Sequence, residues 1–263
     1  MIAYRLLRIA LHLFAGLLTC ALVFPLVNAA GRTARIHRWS KKLLAQCGVR
    51  VEISRATGTQ PASPALIVAN HLSWLDIFVI NSLYPCRFVA KSDIRDWPLI
   101  GWLCDKAGTV FIARGKVRDV RRIYEGLVAS LHAGEHVAFF PEGTTSTQGT
   151  VLPFHANLFE AAIEAAVPIQ PFALRYVDAK GNLHPAVEFV GETTFVHSML
   201  TILKSSGIVA QLVVLPSIAI NGTSHRRELA QAARASIGNA LGKSFSGAPP
   251  SPSIPLPRGE REA

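Results

Sequence analysis

Several common chemistries lack their raw material in this chain. The four cysteines (Cys20, Cys47, Cys86 and Cys104) form no C-x-x-C pair and no zinc-ligand spacing, which points to free thiols in a reducing compartment. No G-x-S-x-G elbow occurs, so the strained-turn serine nucleophile is excluded, and no cysteine stands in a recognisable nucleophile setting. Charge is scarce and lopsided: 17% of the 263 residues are charged, with 17 Asp plus Glu against 27 Lys plus Arg. The basic residues are dispersed and follow no RNA-binding or helix-turn-helix pattern, so nucleic acid is not an expected partner despite the net charge of +10. A membrane surface or an anionic small molecule fits that balance better. His132 and His136 stand four apart, but Gly134 between them breaks the helix a metal pair would need, and no metal is expected. No internal repeat is present.

Half the residues are hydrophobic, enough for a sizeable core with apolar surface left over. Ile9 to Val27 is an almost wholly apolar run of 19 residues, interrupted chiefly by His12. As a helix it would extend about 28 Å, close to the thickness of a bilayer's hydrocarbon. Arg5 and Arg8 precede it, and Arg32, Arg35, Arg38, Lys41 and Lys42 follow. That flank argues for an uncleaved anchor with the globular part on the cytoplasmic face, and against the cleaved signal peptide that "VNA" before Ala30 would otherwise allow. The expected organisation is a membrane-anchoring helix over 1–30, a globular domain over 31–245, and a Pro-rich disordered tail over 246–263.

Within the domain, "VRVEIS", "ALIVAN", "CRFVAK", "GTVFIAR", "HVAFFPEG", "PIQPFALRYV", "VEFVG" and "IVAQLVVLP" read as strands. Val120, Ile123, Tyr124, Leu127, Val128 and Leu131 recur at helical spacing, with Gly134 placed to end that helix. Asn157 to Ala166 reads as a short helix, and Ser224 as the cap of a last one running to about Leu241. Strands and helices alternating in this way predict an α/β fold: a mixed, largely parallel sheet flanked by helices.

Inside the apolar run "VANHLSWLDIFVINS", His71 and Asp76 are the two residues whose burial needs a reason. On one continuous helix a five-residue spacing would set them about 140° apart. They meet only if a helix starts between them, and Ser73 is placed to cap such a helix with Asp76 in its first turn. His71 then hangs at the carboxyl end of a strand, where open α/β sheets hold their ligands. Asp76 would fix one imidazole nitrogen and leave the other as a base. Such a pair without its own nucleophile suits activation of a substrate hydroxyl. Two further strand ends are polar: "GTVFIAR" ends in Arg114, and "FPEGTTS" turns through Glu142, Gly143 and Thr144.

The four blocks "NHLSWLD", "GTVFIAR", "FPEGT" and "VPIQPFAL", in that order, resemble the lysophospholipid acyltransferase family of glycerolipid acyltransferases over about residues 40 to 220. The resemblance implies a glycerolipid acyltransferase-like fold and an acyl thioester donor, carried by coenzyme A or acyl carrier protein, with no cofactor. It implies catalysis by His71 as base and Asp76 as its orienter, with Arg114, Glu142, Gly143 and Thr144 holding the acceptor. The implied product is phosphatidic acid made from 1-acyl-sn-glycerol-3-phosphate at a membrane, on the cytoplasmic face of a bacterial inner membrane. Three positions depart from the pattern, the first being Asn157, where glycine is common. Members that use lysophosphatidate often carry arginine where Thr145 stands, and lysine where His155 stands. A lyso-ornithine lipid or another lysolipid is therefore the alternative acceptor. Attack by water in place of an acceptor would make the protein a membrane-bound thioesterase or lipid hydrolase.

Overall fold

The computed structural model of the chain describes residues 2–56, 62–112 and 117–242, with 117–123 described by backbone alone. Seven strands form one sheet: β1 (Val49–Arg55), β2 (Leu66–Ala69), β3 (Arg87–Lys91), β4 (Val110–Ile112), β5 (Val137–Phe139), β6 (Ile169–Val177) and β7 (Ile208–Val214). Their order is β1-β7-β6-β2-β5-β3-β4. Strands β6, β2, β5, β3 and β4 run parallel to one another, while β7 pairs antiparallel to β6 and carries β1 parallel to itself at the edge. The mixed, largely parallel sheet expected from the sequence is therefore present. All four residues of β2 are buried, as a central strand covered on both faces requires.

One face packs against α2 (Ala29–Gln46), α3 (Leu75–Asn81) and α7 (Phe195–Lys204), through Leu43, Leu44, Val79, Ile80, Ile202 and Leu203. The other packs against α5 (Val117–His132), α6 (Glu160–Glu164) and α8 (Arg226–Ala240), through Leu127, Leu131, Ala161, Leu229, Ala233 and Ile237. A short helix, α4 (Ile100–Lys106), lies between β3 and β4. Gly134 at φ +81 follows the end of α5, as its position predicts.

Two local expectations are corrected. "VEFVG" is no strand: a 3-10 turn over Pro185–Val187 and Gly191 at φ +61 bracket it. Its backbone instead serves a loop, with Phe189 N–H donating to Leu72 O at 3.1 Å. The last helix is capped by His225, whose ring accepts from Arg227 N–H, while Ser224 Oγ donates within the preceding turn to Asn221 Oδ1. The first α-helix, α1 (Ile2–Leu18), continues through a π turn and a 3-10 turn to Leu26 and does not stand clear of the domain. Ile9, His12 and Gly16 are buried, and the His12 ring stacks on Trp39 of α2 with centroids 4.6 Å apart. A Cβ on Gly16 would stand 2.8 Å from the Trp39 ring nitrogen, so glycine permits that approach. Arg5 donates to Leu203 O at 2.6 Å. The Pro-rich tail and Arg114 lie outside the described residues.

Candidate active site

The carboxyl ends of β2 and β5, neighbours in the sheet, supply the site. At the end of β2 the chain leaves the ladder through Asn70. Its side-chain amide donates to Leu174 O (2.9 Å) and accepts from Leu174 N–H (2.8 Å) on β6. The amide thus satisfies the backbone groups that β2 no longer reaches, and the main chain is free to turn outward. His71 is the next residue.

The His71–Asp76 spacing resolves as expected: α3 begins at Leu75, between them. Asp76 is fully buried and His71 Nδ1 lies 2.8 Å from its Oδ2. That same oxygen accepts the backbone N–H groups of Leu72 (2.7 Å) and Ser73 (2.9 Å). The other, Oδ1, accepts the Tyr176 hydroxyl at 2.7 Å. Four donors on one carboxylate offset the cost of burying its charge. The capping box is half formed. Asp76 reaches back to Ser73 N–H, but the buried Ser73 hydroxyl has no partner among the described residues and Trp74 occupies the cap position. With two amides already held by Asp76, the helix start does not need the serine.

Because Nδ1 faces a carboxylate, it carries the proton, and Nε2 is left as the basic nitrogen. The imidazole lies flat on Phe140, with centroids 3.9 Å apart and planes 7° apart. Its side chain is 18% exposed, enough for a reactant to reach it. Burial, together with the charge and hydrogen bond of Asp76, pushes the Tyr176 hydroxyl well above its ordinary range, so it stays a donor.

Glu142 is buried and both its oxygens accept backbone N–H groups, from His71 at 2.8 Å and from Leu152 at 2.9 Å. Burial raises its pKa, against the lowering effect of those hydrogen bonds. In these contacts the carboxylate ties the β2 loop to the β5 loop. Gly143 has φ +68 and a Cβ there would meet the His155 ring at 3.2 Å, so the turn requires glycine. Thr144 is exposed on the same turn. Thr145 donates to Phe189 O, and Ser146 N–H to His71 O at 2.8 Å. Burial lowers the pKa of His155, which favours its neutral form.

An imidazole held by a buried carboxylate at two strand ends suits the activation of a hydroxyl or water. Comparison with known proteins decides the family. A profile of the family described as Acyltransferase matches residues 50–175. The lyso-ornithine lipid O-acyltransferase of Pseudomonas aeruginosa is 36% identical over 203 residues, 77% of this chain and 76% of that one. The 1-acyl-sn-glycerol-3-phosphate acyltransferase of Neisseria gonorrhoeae is 39% identical over 175 residues, 66% of this chain and 68% of that one. This chain belongs to the acyltransferase family. The fold agrees: the crystal structure of the 1-acyl-sn-glycerophosphate acyltransferase from Thermotoga maritima superposes with a TM-score of 0.63 at 20% identity, covering 94% of this chain and 100% of that one.

In the acyltransferase, the structure brings His71, Asp76, Glu142 and Gly143 together, with Thr144 on the rim. The sequence reading missed Tyr176, which lies 100 residues from its partner Asp76, and Phe140, the ring under His71. Every residue of β6 except Arg175 is buried, so no alternation singles out Tyr176, and only the β6–β2 pairing brings its hydroxyl to the dyad. Among the described residues, no group of three or more His, Cys, Asp or Glu is placed to hold a metal ion.

Proposed function

We propose that this acyltransferase moves an acyl chain from an acyl thioester, carried by coenzyme A or acyl carrier protein, to the free hydroxyl of a lysolipid. The observation that carries the reading is the 2.8 Å contact between His71 Nδ1 and Asp76 Oδ2. His71 Nε2 takes the proton of the acceptor hydroxyl as its oxygen attacks the thioester carbonyl. The tetrahedral intermediate collapses with loss of the C–S bond, and the leaving thiolate recovers the proton from Nε2. Asp76 stabilises the imidazolium between these steps. General-base assistance of this kind is worth about 10²- to 10⁴-fold.

For the acceptor, the first reading is 1-acyl-sn-glycerol-3-phosphate, giving phosphatidic acid. It is supported by Arg114, an always-charged fork suited to phosphate, and by the N. gonorrhoeae relative. Thr145 supports a second reading, a lyso-ornithine lipid. Its hydroxyl is spent on Phe189 O and brings no charge, and the P. aeruginosa relative is named for that acceptor. A dianionic phosphate normally recruits more than one cation.

The reaction belongs at a membrane. Residues Ile2–Leu26 form a helix long and apolar enough to cross one, with mean hydropathy 2.2. One face of it is packed on the domain, while Tyr4, Leu7, Leu11, Phe14, Leu18, Leu22 and Leu26 line the other and are exposed. That two-faced arrangement suits a helix lying in one leaflet better than one that crosses. The basic residues of α2 favour the cytoplasmic leaflet, in a bacterium that of the inner membrane.

The test is incubation of purified protein with a radiolabelled acyl thioester and each lysolipid in turn, with His71→Ala as control. Labelled diacyl product that requires His71 supports the transfer. Free fatty acid formed equally with and without acceptor would instead identify a thioesterase or lipid hydrolase.

A further inference from the structure

A second apolar surface lies at the same edge of the sheet as His71. From the carboxyl end of β3 the chain runs through a 3-10 turn (Ser92–Asp96) into α4. The tip between them exposes Trp97 (38%) and Leu99 (65%), the first turn of α4 exposes Trp102 (40%), and Val196 at the start of α7 is 59% exposed. Leu99 holds φ +63, a conformation that non-glycine residues seldom adopt, in presenting its side chain to solvent. Nothing in that exposure benefits a chain surrounded by water.

Aromatic contacts connect this surface to the dyad. Trp97 meets Phe195 with centroids 5.8 Å apart, and Phe195 meets Trp74 at 5.1 Å. Trp74 is three residues from His71 and donates to Ser198 Oγ of α7 at 3.1 Å. The surface also adjoins the first helical segment. It packs against α7, whose Phe195 meets Trp97.

We propose that the Trp97–Leu99–Trp102 tip, with Val196, is a second membrane-insertion element. It dips into the same leaflet as the exposed stripe of α1 and turns the carboxyl edge of the sheet toward the lipid. The occupant is a bilayer for two reasons. The surface shares α7 with the apolar helix α1, since Phe195 meets Trp97 and α1 packs against α7, and its composition is two tryptophans beside a leucine, the amphipathic ring type that settles at the headgroup level. Trp102 also carries the Lys106 ammonium 5.8 Å above its ring, which leaves a cation at headgroup depth. Between residues 91 and 106 the charges cancel: Lys91, Arg95 and Lys106 against Asp93, Asp96 and Asp105. Insertion of the tip is therefore apolar, insensitive to salt and to the anionic content of the lipid. This inference rests on the membrane association proposed above and adds the second contact and the orientation.

Full-length protein is mixed with phosphatidylcholine vesicles whose acyl chains are brominated, and tryptophan fluorescence is followed. The chain has four tryptophans, so wild type is compared with Trp97→Phe/Trp102→Phe, which retains Trp39 and Trp74. Wild type should lose the larger fraction of its emission, equally in low and high salt. In a second arm, Leu99→Asp/Trp102→Gln should partition onto plain phosphatidylcholine vesicles about tenfold more weakly than wild type, with an unchanged melting curve. Equal quenching of wild type and the Phe pair overturns the proposal. Partitioning of the second variant that matches wild type overturns it too. Should that variant fail to fold, the quenching arm still decides. Neither arm depends on turnover, so failure of the proposed reaction would leave both readable.

Discussion

The Tyr176 hydroxyl donates to Asp76 Oδ1 at 2.7 Å, and both side chains are fully buried. Since Oδ2 already accepts His71 Nδ1–H and two backbone N–H groups, the tyrosine holds the carboxylate's remaining oxygen and with it the plane that orients the imidazole. Tyr176→Phe is expected to lower kcat several-fold to about tenfold, the effect of one charge-assisted hydrogen bond acting through the dyad. KM should stay put. A raised KM with unchanged kcat would place Tyr176 in substrate binding instead.

Asp76→Asn separates geometry from charge. An asparagine can keep its carbonyl where Oδ2 stands and turn its amide toward Tyr176, whose hydroxyl then accepts. The variant should fold with stability near wild type while kcat falls about 10²- to 10⁴-fold through loss of the charge behind His71. Adding Tyr176→Phe leaves the amide without an acceptor and should cost about 1–3 kcal/mol more. Thermal melts of both single variants and the double check this, and additive losses would contradict the donor–acceptor exchange.

Residue 145 tests the acceptor. Thr145→Arg should raise kcat/KM for lysophosphatidate relative to a lyso-ornithine lipid by adding a second cation to the one that Arg114 brings. Arg114→Lys should raise KM for a phosphate acceptor by removing the planar fork, with a smaller effect on the donor. The informative number is the ratio of the two acceptors' kcat/KM before and after Thr145→Arg. An unmoved ratio means that residue 145 does not read the head group.

Deleting the first helix would uncover Trp39 and the core around Ile9, so point changes on its exposed face are the cleaner probe. Leu11→Glu/Leu18→Glu should shift the protein from membrane to soluble fraction without lowering its melting temperature, because both positions face outward. A variant that sediments with membranes as wild type does would refute attachment through that stripe.

Burial pushes His136 and His155 below the ordinary imidazole range. As pH falls through about 6.5, the unfolded chain therefore takes up protons at these positions that the native chain resists, and stability declines. Above that pH the penalty is absent. Melting temperature should drop between pH 7.5 and 5.5, and less steeply in His136→Gln/His155→Gln. Parallel curves would assign the acid sensitivity to other groups.

Local spacing was enough to reveal much of this protein. The His71–Asp76 interval demands a helix start between them, and Leu75 supplies it. Gly143 sits in "PEG" because the turn runs at positive φ, and seven of the eight expected strands follow from short β-rich runs bounded by turn residues. Such features depend on a residue and its near neighbours. What the tertiary structure alone decided depends on groups far apart in the chain. "VEFVG" satisfies its backbone on the Leu72 loop rather than in the sheet. Glu142 meets the backbone N–H of His71 only because β5 lies beside β2. Tyr176 reaches Asp76 because β6 pairs on β2's other side. The physical reason is common to all three. A buried polar group must find a partner wherever packing delivers one, and sheet order, which no local period encodes, determines which strand ends meet.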